Sequence, residues 1–182
     1  MHRRTLLGWT FTAATRLLWR PACGRAEAPP LDTPSRAGQG KPITPLDVNR
    51  RVWRDLPAPD RYRALFAEAT EPVWSSPLDQ EKRDGTGACT VCHLPVVVSV
   101  DKCDSGTGWP RFTRPLPGRV GTKADCKLVW LRTEYRWIRC GGHQGRVFRD
   151  GPPSTGQRWC NHGLVLAFVP EGEERPALRG GS

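Results

Sequence analysis

The chain has 182 residues, a formal net charge of +10 and seven cysteines. That length suits one ordinary domain with extensions and hardly two. Arginines are scattered from Arg3 to Arg179 without a lysine-rich block or an RNA-recognition signature, so we expect the charge to serve solubility and predict no nucleic-acid partner. Seven cysteines exceed what packing needs and indicate metal, disulfide or thiol chemistry.

Residues 1–28 are predicted to be a twin-arginine export signal. Arg3 and Arg4 precede a weak apolar stretch, L-L-G-W-T-F-T-A-A-T, and small residues follow at A-E-A. Export would place the protein in the periplasm. The alternative, favoured by Arg16 and Arg20, is a disordered basic leader on a cytoplasmic protein. No apolar run reaches the roughly 20 residues that span a bilayer, so we expect no stable membrane insertion.

The remainder of the chain divides into three predicted segments. Residues 29–50 are rich in proline, glycine and polar side chains, which is typical of a flexible linker. Residues 51–170 are assigned to the domain. Residues 171–182 are predicted to form a disordered tail.

One short helix and several short strands are predicted within the domain. Apolar residues recur with helical spacing at Tyr62, Leu65, Phe66 and Ala69, after a candidate cap at Asp60. Beyond the helix, turn-rich sequence separates short β-branched or aromatic runs, namely P-V-V-V-S-V, C-K-L-V-W-L-R, E-Y-R-W-I-R and G-L-V-L-A-F. This pattern predicts a mainly β fold, a small antiparallel domain.

Cys89 and Cys92 form a C-x-x-C knuckle, a spacing at which two thiolates grip one tetrahedral zinc ion. A closed structural site needs a second pair. The segment W-I-R-C supplies Cys140, but Trp137 stands where the other cysteine belongs. Three thiolates are therefore available to zinc, with solvent or His93 as a fourth ligand, and a knuckle without metal is the alternative.

The same segment also reads C-T-V-C-H, the attachment signature of a c-type haem. Met1 is the only methionine, so the usual distal ligand is lacking, although His143 or His162 would be substitutes. A β-rich domain is an unusual host for such a haem. The haem interpretation is therefore kept as a third alternative.

Cys160 has the surroundings of a reactive thiol. Arg158 lies two residues before it and His162 two after it, behind a glycine- and proline-rich loop. Only the thiolate is a good nucleophile, and a neighbouring cation lowers the thiol pKa and so raises the thiolate fraction. From this segment alone, the alternative is a small apolar side chain near a buried strand, L-V-L-A-F.

Five motifs extend the pattern beyond the cysteines: T-E-P-V-W-S-S-P-L, D-S-G-T-G-W-P-R-F, L-R-T-E, H-Q-G-R-V-F-R-D-G-P and T-G-Q-R-W-C. In this order and spacing, they resemble the B-type methionine sulfoxide reductases over residues 52–169. The resemblance implies two small antiparallel β-sheets with short flanking helices and a structural zinc between two C-x-x-C knuckles. It also implies thiol-dependent reduction of methionine-R-sulfoxide, free or in proteins.

The resemblance assigns roles to individual residues. Cys160 matches the nucleophile, which attacks the sulfoxide sulfur, releases methionine and is left as a sulfenic acid. Trp109 matches the aromatic wall for the substrate methyl group. The other candidate catalytic residues are His143, Asp150, Arg158 and His162. The other candidates for substrate binding are Arg146 and Phe148.

Several positions depart from the family pattern. Arg146 stands where the family has its second histidine, and an arginine donates hydrogen bonds but does not shuttle protons near neutral pH. His162 replaces an asparagine, so its imidazole would partly substitute for the lost histidine. Arg111 replaces the usual serine after the proline, and Trp137 removes a zinc ligand. The second hypothesis is therefore a divergent, weakly active or non-catalytic sulfoxide-binding module of the same fold.

Thr107 occupies the position of the commonest resolving cysteine in the family. Cys103 and Cys126 are the candidate substitutes, and a thioredoxin-like partner would reduce the resulting disulfide. The alternative is a structural disulfide between Cys103 and Cys126. We expect the protein to be a monomer.

Overall fold

The computed structural model describes residues 43–46, 58–104, 106–125 and 132–179. The predicted export signal, most of the predicted linker and Cys126 lie outside these ranges. No helix in the described ranges has the length and apolar character to cross a membrane. The predicted segment boundaries stay predictions.

A short helix, α1 (Pro59–Ala67), opens the described part of the domain. It begins one residue before the predicted cap, because a proline suits the first helical turn, where its missing N–H would have no partner anyway. Ala58 therefore takes the cap position, and Asp60 lies in the first turn, where a carboxylate is favourable near the helix N-terminus. Ala64 and Leu65 bury the helix against the core.

A three-stranded antiparallel sheet has the order β2–β1–β8. Its strands are β1 (Gly85–Cys89), β2 (Pro95–Val98) and β8 (Leu166–Pro170). The P-V-V-V run forms β2 as predicted. The G-L-V-L-A-F run begins with a 3-10 turn at Gly163–Val165, so β8 starts three residues later than the run. The cysteine knuckle lies at the end of β1.

A five-stranded antiparallel sheet has the order β3–β7–β6–β5–β4. Its strands are β3 (Arg111–Phe112), β4 (Val120–Asp125), β5 (Arg132–Trp137), β6 (His143–Phe148) and β7 (Arg158–Asn161). The E-Y-R-W run lies within β5, whereas most of C-K-L-V-W-L-R falls outside the described ranges. Two antiparallel sheets with one short α-helix in the described ranges confirm the predicted fold class.

The two faces of strand β7 have different surroundings: one packs in a small apolar cluster, and the other faces the candidate site. Side chains alternate between the two faces of a strand. Trp159 is buried against Tyr135 and Val147, with the rings of Trp159 and Tyr135 edge to face at 4.9 Å between centroids. Arg158 and Cys160 therefore point to the opposite face.

Two stretches outside the sheets lie against the main core. Ile43 and Leu46 pack on it, and the backbone N–H of Leu46 donates to the carbonyl oxygen of Arg139 at 2.7 Å. At the other end, the backbone N–H of Arg179 donates to the carbonyl oxygen of Cys92 at 3.2 Å. The described parts of the predicted linker and tail thus both contact the domain.

Candidate active site

Cys160 lies in a row of side chains that crosses the five-stranded sheet. It pairs in register with Arg111 of β3 on one side and with Arg146 of β6 on the other. Glu134 of β5 and Lys123 of β4 continue the row. Residues opposite one another in antiparallel strands present their side chains on the same face. This cross-strand row therefore places the thiol between two arginines.

Arg158 lies on the same face of β7 as Cys160, two residues away. Its Nε and Nη2 donate to the two carboxylate oxygens of Asp150 at 2.8 and 2.7 Å. Its guanidinium also lies over the ring of Phe148, 4.1 Å from the centroid. A bidentate ion pair and a ring contact together fix the guanidinium plane. The structure thus gathers Arg158, Asp150 and Phe148 beside Cys160, and their roles stay predictions.

The thiol of Cys160 is largely buried, and burial raises its pKa. The charges of Arg158, Arg111 and Arg146 lower this pKa, and the carboxylate of Glu71 raises it. Burial outweighs the cations, so the net change is upward. Arg158 acts in the predicted direction, but burial favours the thiol over the thiolate of Cys160.

Arg146 is engaged in a buried ion pair. Its Nε donates to Oδ2 of Asp125 at 3.0 Å, and Nη2 of Arg132 donates to the same oxygen at 3.2 Å. Asp125 itself is buried. Arg146 is therefore held toward β4 by a carboxylate.

His143 is fully buried, and its Nδ1 lies 2.6 Å from Oε1 of Glu134. Burial raises the pKa of Glu134, but the hydrogen bond and charge of His143, with the charge of Arg136, outweigh it and lower the pKa. Glu134 is therefore a carboxylate, which only accepts, so Nδ1 of His143 donates. The Nε2 of His143 has no hydrogen-bond partner among the described residues.

His162 follows β7, and only 5% of it is exposed. Its ring centroid lies 5.2 Å from that of His143. Its Nδ1 accepts the backbone N–H of Glu71 at 3.5 Å, so Nε2 carries the proton of the neutral ring. Burial, followed by the charges of His143 and Arg146, lowers the pKa of His162 to about 3. Near pH 7 it is a neutral hydrogen-bond donor, not a cationic acid.

Glu71 connects the loop before the sheets to the turn that follows Cys160 and β7. Its two carboxylate oxygens accept the backbone N–H groups of Gly163 at 2.6 Å and Leu164 at 2.8 Å. Burial raises the pKa of Glu71, and these two hydrogen bonds act against that rise. Its carbonyl oxygen accepts Nε1 of Trp109 at 3.2 Å. The predicted aromatic wall is thereby anchored to the same segment.

Cys103 lies on the far side of Arg111 from Cys160. Its backbone N–H donates to the carbonyl oxygen of Arg111 at 3.0 Å, and Lys102 forms a bridge with Phe112. Adjacent strands are about 4.8 Å apart, so the Cα atoms of the two cysteines are separated by roughly 10 Å. A disulfide needs a Cα separation of about 4.4–6.8 Å. A Cys103–Cys160 bond therefore requires a local shift of the chain.

Comparison with known proteins identifies the family. Residues 58–170 match the SelR domain, which is more than half of the chain. The chain is 39% identical over 119 residues to the peptide methionine sulfoxide reductase MsrB of Agrobacterium fabrum, covering 65% of this chain and 88% of that protein. The MsrB of Pseudomonas fluorescens strain Pf0-1 is 37% identical over 126 residues, 69% of this chain and 96% of that protein. This chain belongs to the MsrB family.

The predicted zinc ligands of this MsrB-family domain form a compact cluster. The sulfur atoms of Cys89, Cys92 and Cys140 all lie within 4.8 Å of one another, and those of Cys89 and Cys140 are 3.8 Å apart. Tetrahedral zinc with Zn–S bonds of about 2.3 Å places its sulfurs about 3.8 Å apart. Hydrogen bonds from Cys140 and Cys89 lower the pKa of Cys92 to about 4, whereas burial raises the pKa of Cys89, so Cys92 is the thiolate of the metal-free cluster. The three donors fit a zinc ion.

The fourth position of the cluster is not filled by a protein donor among the described residues. Trp137 is buried in the main core. His93 is engaged elsewhere, because Nδ1 lies 2.8 Å from the carbonyl oxygen of Ala177 and Nε2 lies 3.3 Å from Nη2 of Arg179. A c-type haem also fits poorly, since Cys89 is fully buried among core residues.

Sequence reasoning missed three site residues: Glu71, Arg111 and Glu134. Glu71 and Glu134 lie within the quoted motifs T-E-P and L-R-T-E, so the motifs were the available signal. Arg111 was noted only as a departure from the family pattern. Its neighbours across the sheet are far away in sequence, and a single sequence does not reveal that register. Cys126 lies outside the described residues.

Proposed function

We propose that the chain is a peptide-methionine (R)-S-oxide reductase that acts through Cys160 on methionine-R-sulfoxide, free or in proteins. The observation that carries this proposal is the position of that thiol within an MsrB-family domain. It lies between Arg111 and Arg146, with Arg158 on the same face. The motif T-G-Q-R-W-C and the position of the thiol among these arginines both support Cys160 as the proposed nucleophile.

In the proposed reaction, the sulfur of Cys160 attacks the sulfoxide sulfur. The oxygen then passes from the substrate sulfur to the sulfur of Cys160: the substrate sulfur–oxygen bond and the transient sulfur–sulfur bond break, a bond forms between the oxygen and the sulfur of Cys160, and the proton lost by the thiol ends on that oxygen to give the sulfenic acid. The substrate gains two electrons and leaves as methionine, while Cys160 loses two electrons. The indole of Trp109 is the proposed wall for the methyl group, since an apolar surface accepts it.

Proton transfer is proposed to use His143 with its partner Glu134. The sulfoxide oxygen develops negative charge as its bond to sulfur weakens, so nearby donors accelerate the step. Arg146 and Arg158 donate hydrogen bonds but no protons. His162 contributes a neutral N–H donor. This acid set differs from the family arrangement and motivates the alternative of low activity.

Cys103 is the proposed resolving cysteine in the described part of the chain, and Cys126 remains the second candidate. The thiol of Cys103 attacks the sulfenic sulfur, which forms a disulfide and releases water. A thioredoxin-like dithiol then reduces the disulfide. We also propose that Cys89, Cys92 and Cys140 hold a structural zinc ion, and that the chain is a monomer exported to the periplasm.

The decisive experiment supplies the separate R and S epimers of methionine sulfoxide with dithiothreitol as reductant. We expect turnover of the R epimer and none of the S epimer. Cys160→Ser should abolish turnover. Ser154→Ala should retain it, because Ser154 is an exposed residue in the loop before β7. Absence of R-epimer turnover by the wild-type chain would contradict the proposal.

The second candidate function is a sulfoxide-binding module without turnover. It is favoured by the burial that keeps Cys160 chiefly as a thiol and by the low pKa of His162. Under this alternative, methionine sulfoxide binds but a sulfenic-acid probe does not label Cys160. Labelling that appears only after addition of the R epimer would reject the alternative.

A further inference from the structure

Arg111 is a charged side chain that the fold leaves unsatisfied. It is 1% exposed, and all three of its guanidinium nitrogens are buried without a hydrogen-bond partner among the described residues. A buried charge is costly unless it is paired. Such a cation stabilises an anion that forms beside it more strongly than a cation that is already neutralised.

The two thiols nearest to Arg111 across the sheet are those of the proposed redox pair. Arg111 pairs in register with Cys160, and its carbonyl oxygen accepts the backbone N–H of Cys103 on its other side. In the order of the strands, the arginine lies between the two cysteines. Its positive charge lowers the pKa of both thiols, against the effect of burial.

The other charged groups that face Cys160 already have partners. Arg158 is paired with Asp150, and Arg146 is paired with Asp125. The carboxylate of Glu71 accepts two backbone N–H groups. On the core side, the hydroxyl of Tyr135 donates to the carbonyl oxygen of Cys160 at 3.3 Å. Among the charged groups named here, Arg111 is therefore the cation that has no partner until a neighbouring thiol ionises.

We propose that Arg111 is a further functional residue of the thiol chemistry, the cation that stabilises the thiolates of Cys160 and Cys103. The inference rests on the proposed role of Cys160 as nucleophile. When either thiol loses its proton, the buried guanidinium gains an anionic neighbour. Ionisation is thereby favoured at the two positions where the proposed reaction needs a nucleophile.

The test compares Arg111→Met with Arg111→Lys in the full chain. Each cysteine's alkylation rate with iodoacetamide is followed by mass spectrometry from pH 6 to 11. Methionine keeps most of the volume without charge, whereas lysine keeps the charge. We expect Arg111→Met to shift the midpoint of the Cys160 profile upward by about one pH unit, or about tenfold slower alkylation at pH 7, and Arg111→Lys to shift it much less.

Arg114→Met is the matched control, because Arg114 lies three residues away and its Nε donates to Asp101 at 2.8 Å. It should leave the Cys160 profile unchanged. Arg111→Met should also unfold at a higher urea concentration than the wild type, since it removes an unpaired buried charge. A purely structural role predicts the change in unfolding without the change in alkylation.

An unchanged Cys160 midpoint in folded Arg111→Met would overturn the inference. If that variant does not fold, Arg111→Gln replaces it, and equal profiles for Arg111→Gln and Arg111→Lys would overturn the inference. Alkylation does not depend on sulfoxide. If the profile shifts but the wild-type chain reduces neither epimer, the inference about Arg111 is supported and the proposed function is rejected. If the profile does not shift but the wild-type chain reduces the R epimer, the proposed function is supported and the inference about Arg111 is rejected.

Discussion

Among single residues, His162 carries the clearest dependence on pH. Its folded-state pKa of about 3 lies below its ordinary value of 6.5 because burial, followed by the charges of His143 and Arg146, disfavours its protonated form. Between these two values the unfolded chain binds a proton that the folded chain does not bind. The free energy of unfolding therefore falls as the pH is lowered through this window, by about 1.4 kcal/mol per pH unit at most.

Replacing His162 by asparagine should remove this acid sensitivity. We expect the wild type to lose about 2 kcal/mol more free energy of unfolding than His162→Asn between pH 7 and pH 5. Urea unfolding at both pH values measures the difference. His93→Asn, at the histidine that contacts the tail, is the control. Equal losses in the wild type and His162→Asn would show that His162 is not held neutral.

Asp150 and Arg158 form the exposed ion pair next to Cys160, and the carboxylate side chain of Asp150 is 63% exposed. Exposed ion pairs contribute little to the stability of a folded protein, so Asp150→Asn should change the free energy of unfolding by less than about 1 kcal/mol. The change should leave the charge of Arg158 uncompensated, so Cys160 should be alkylated faster at pH 7. Slower alkylation, with Arg158 still ordered, would contradict this prediction.

At the level of elements, β6 and β7 approach each other closely at Gly145. A Cβ atom at this position would lie 1.9 Å from the carbonyl oxygen of Cys160, which also accepts the hydroxyl of Tyr135. Only glycine leaves room for that carbonyl group. The main chain of Cys160 is therefore held by close packing against β6 and by the hydroxyl of Tyr135 in β5.

Gly145→Ala should push β7 away from β6 and displace Cys160. We expect a loss of about 3 kcal/mol in the free energy of unfolding, at the upper end of overpacking effects, together with reduced turnover of the R epimer. Urea unfolding and the epimer assay measure the two effects. Gly121→Ala on β4 is the matched glycine control, since a Cβ there meets nothing within 4 Å. Similar results for both variants would refute the argument.

The strands that the sequence predicts best are those whose side chains face the core. The run P-V-V-V marks β2 because its β-branched residues are typical of buried strands. Strands β1 (G-T-G-A-C) and β6 (H-Q-G-R-V-F) have no such composition, since glycines and site residues take the place of apolar ones. These strands therefore lack the apolar pattern by which a strand is recognised in a sequence.

The sequence predicted the thiol of the candidate site but not the charged groups that contact one another around it. Cys160 and Arg158 were predicted together, because they lie two residues apart in one motif. The partner of Arg146, Asp125, lies 21 residues earlier, and the two backbone contacts of Glu71 lie 92 and 93 residues later. Such contacts depend on strand order and register, which a single sequence does not specify.

For the whole molecule, the cysteine cluster joins elements that are distant in sequence. Cys89 and Cys92 flank the turn after β1, and Cys140 lies in the turn after β5. These two strands belong to different sheets. A metal ion bound by all three thiolates would therefore link the two sheets and stabilise the domain as a unit.

Zinc at 100 times its dissociation constant should raise the free energy of unfolding by about 2.7 kcal/mol. We expect a chelator to lower Tm, zinc to restore it, and elemental analysis to find about one zinc per chain, as the single cluster among the described residues predicts. Cys140→Ser should lose most of this response, while Cys103→Ser should keep it. A Tm that does not respond to zinc or chelator in the wild type would rule out a structural zinc.

The separation of Cys103 from Cys160 by one intervening strand has a kinetic consequence. A sulfenic acid on Cys160 would persist until the segment around Cys103 moved closer, whereas a small external thiol could reach the sulfur without waiting. Two routes would then compete, one limited by chain motion and the other by reductant concentration. Where the motion of the chain is the slower route, the cellular supply of small thiols would decide how long each oxidised molecule survives before it can act again.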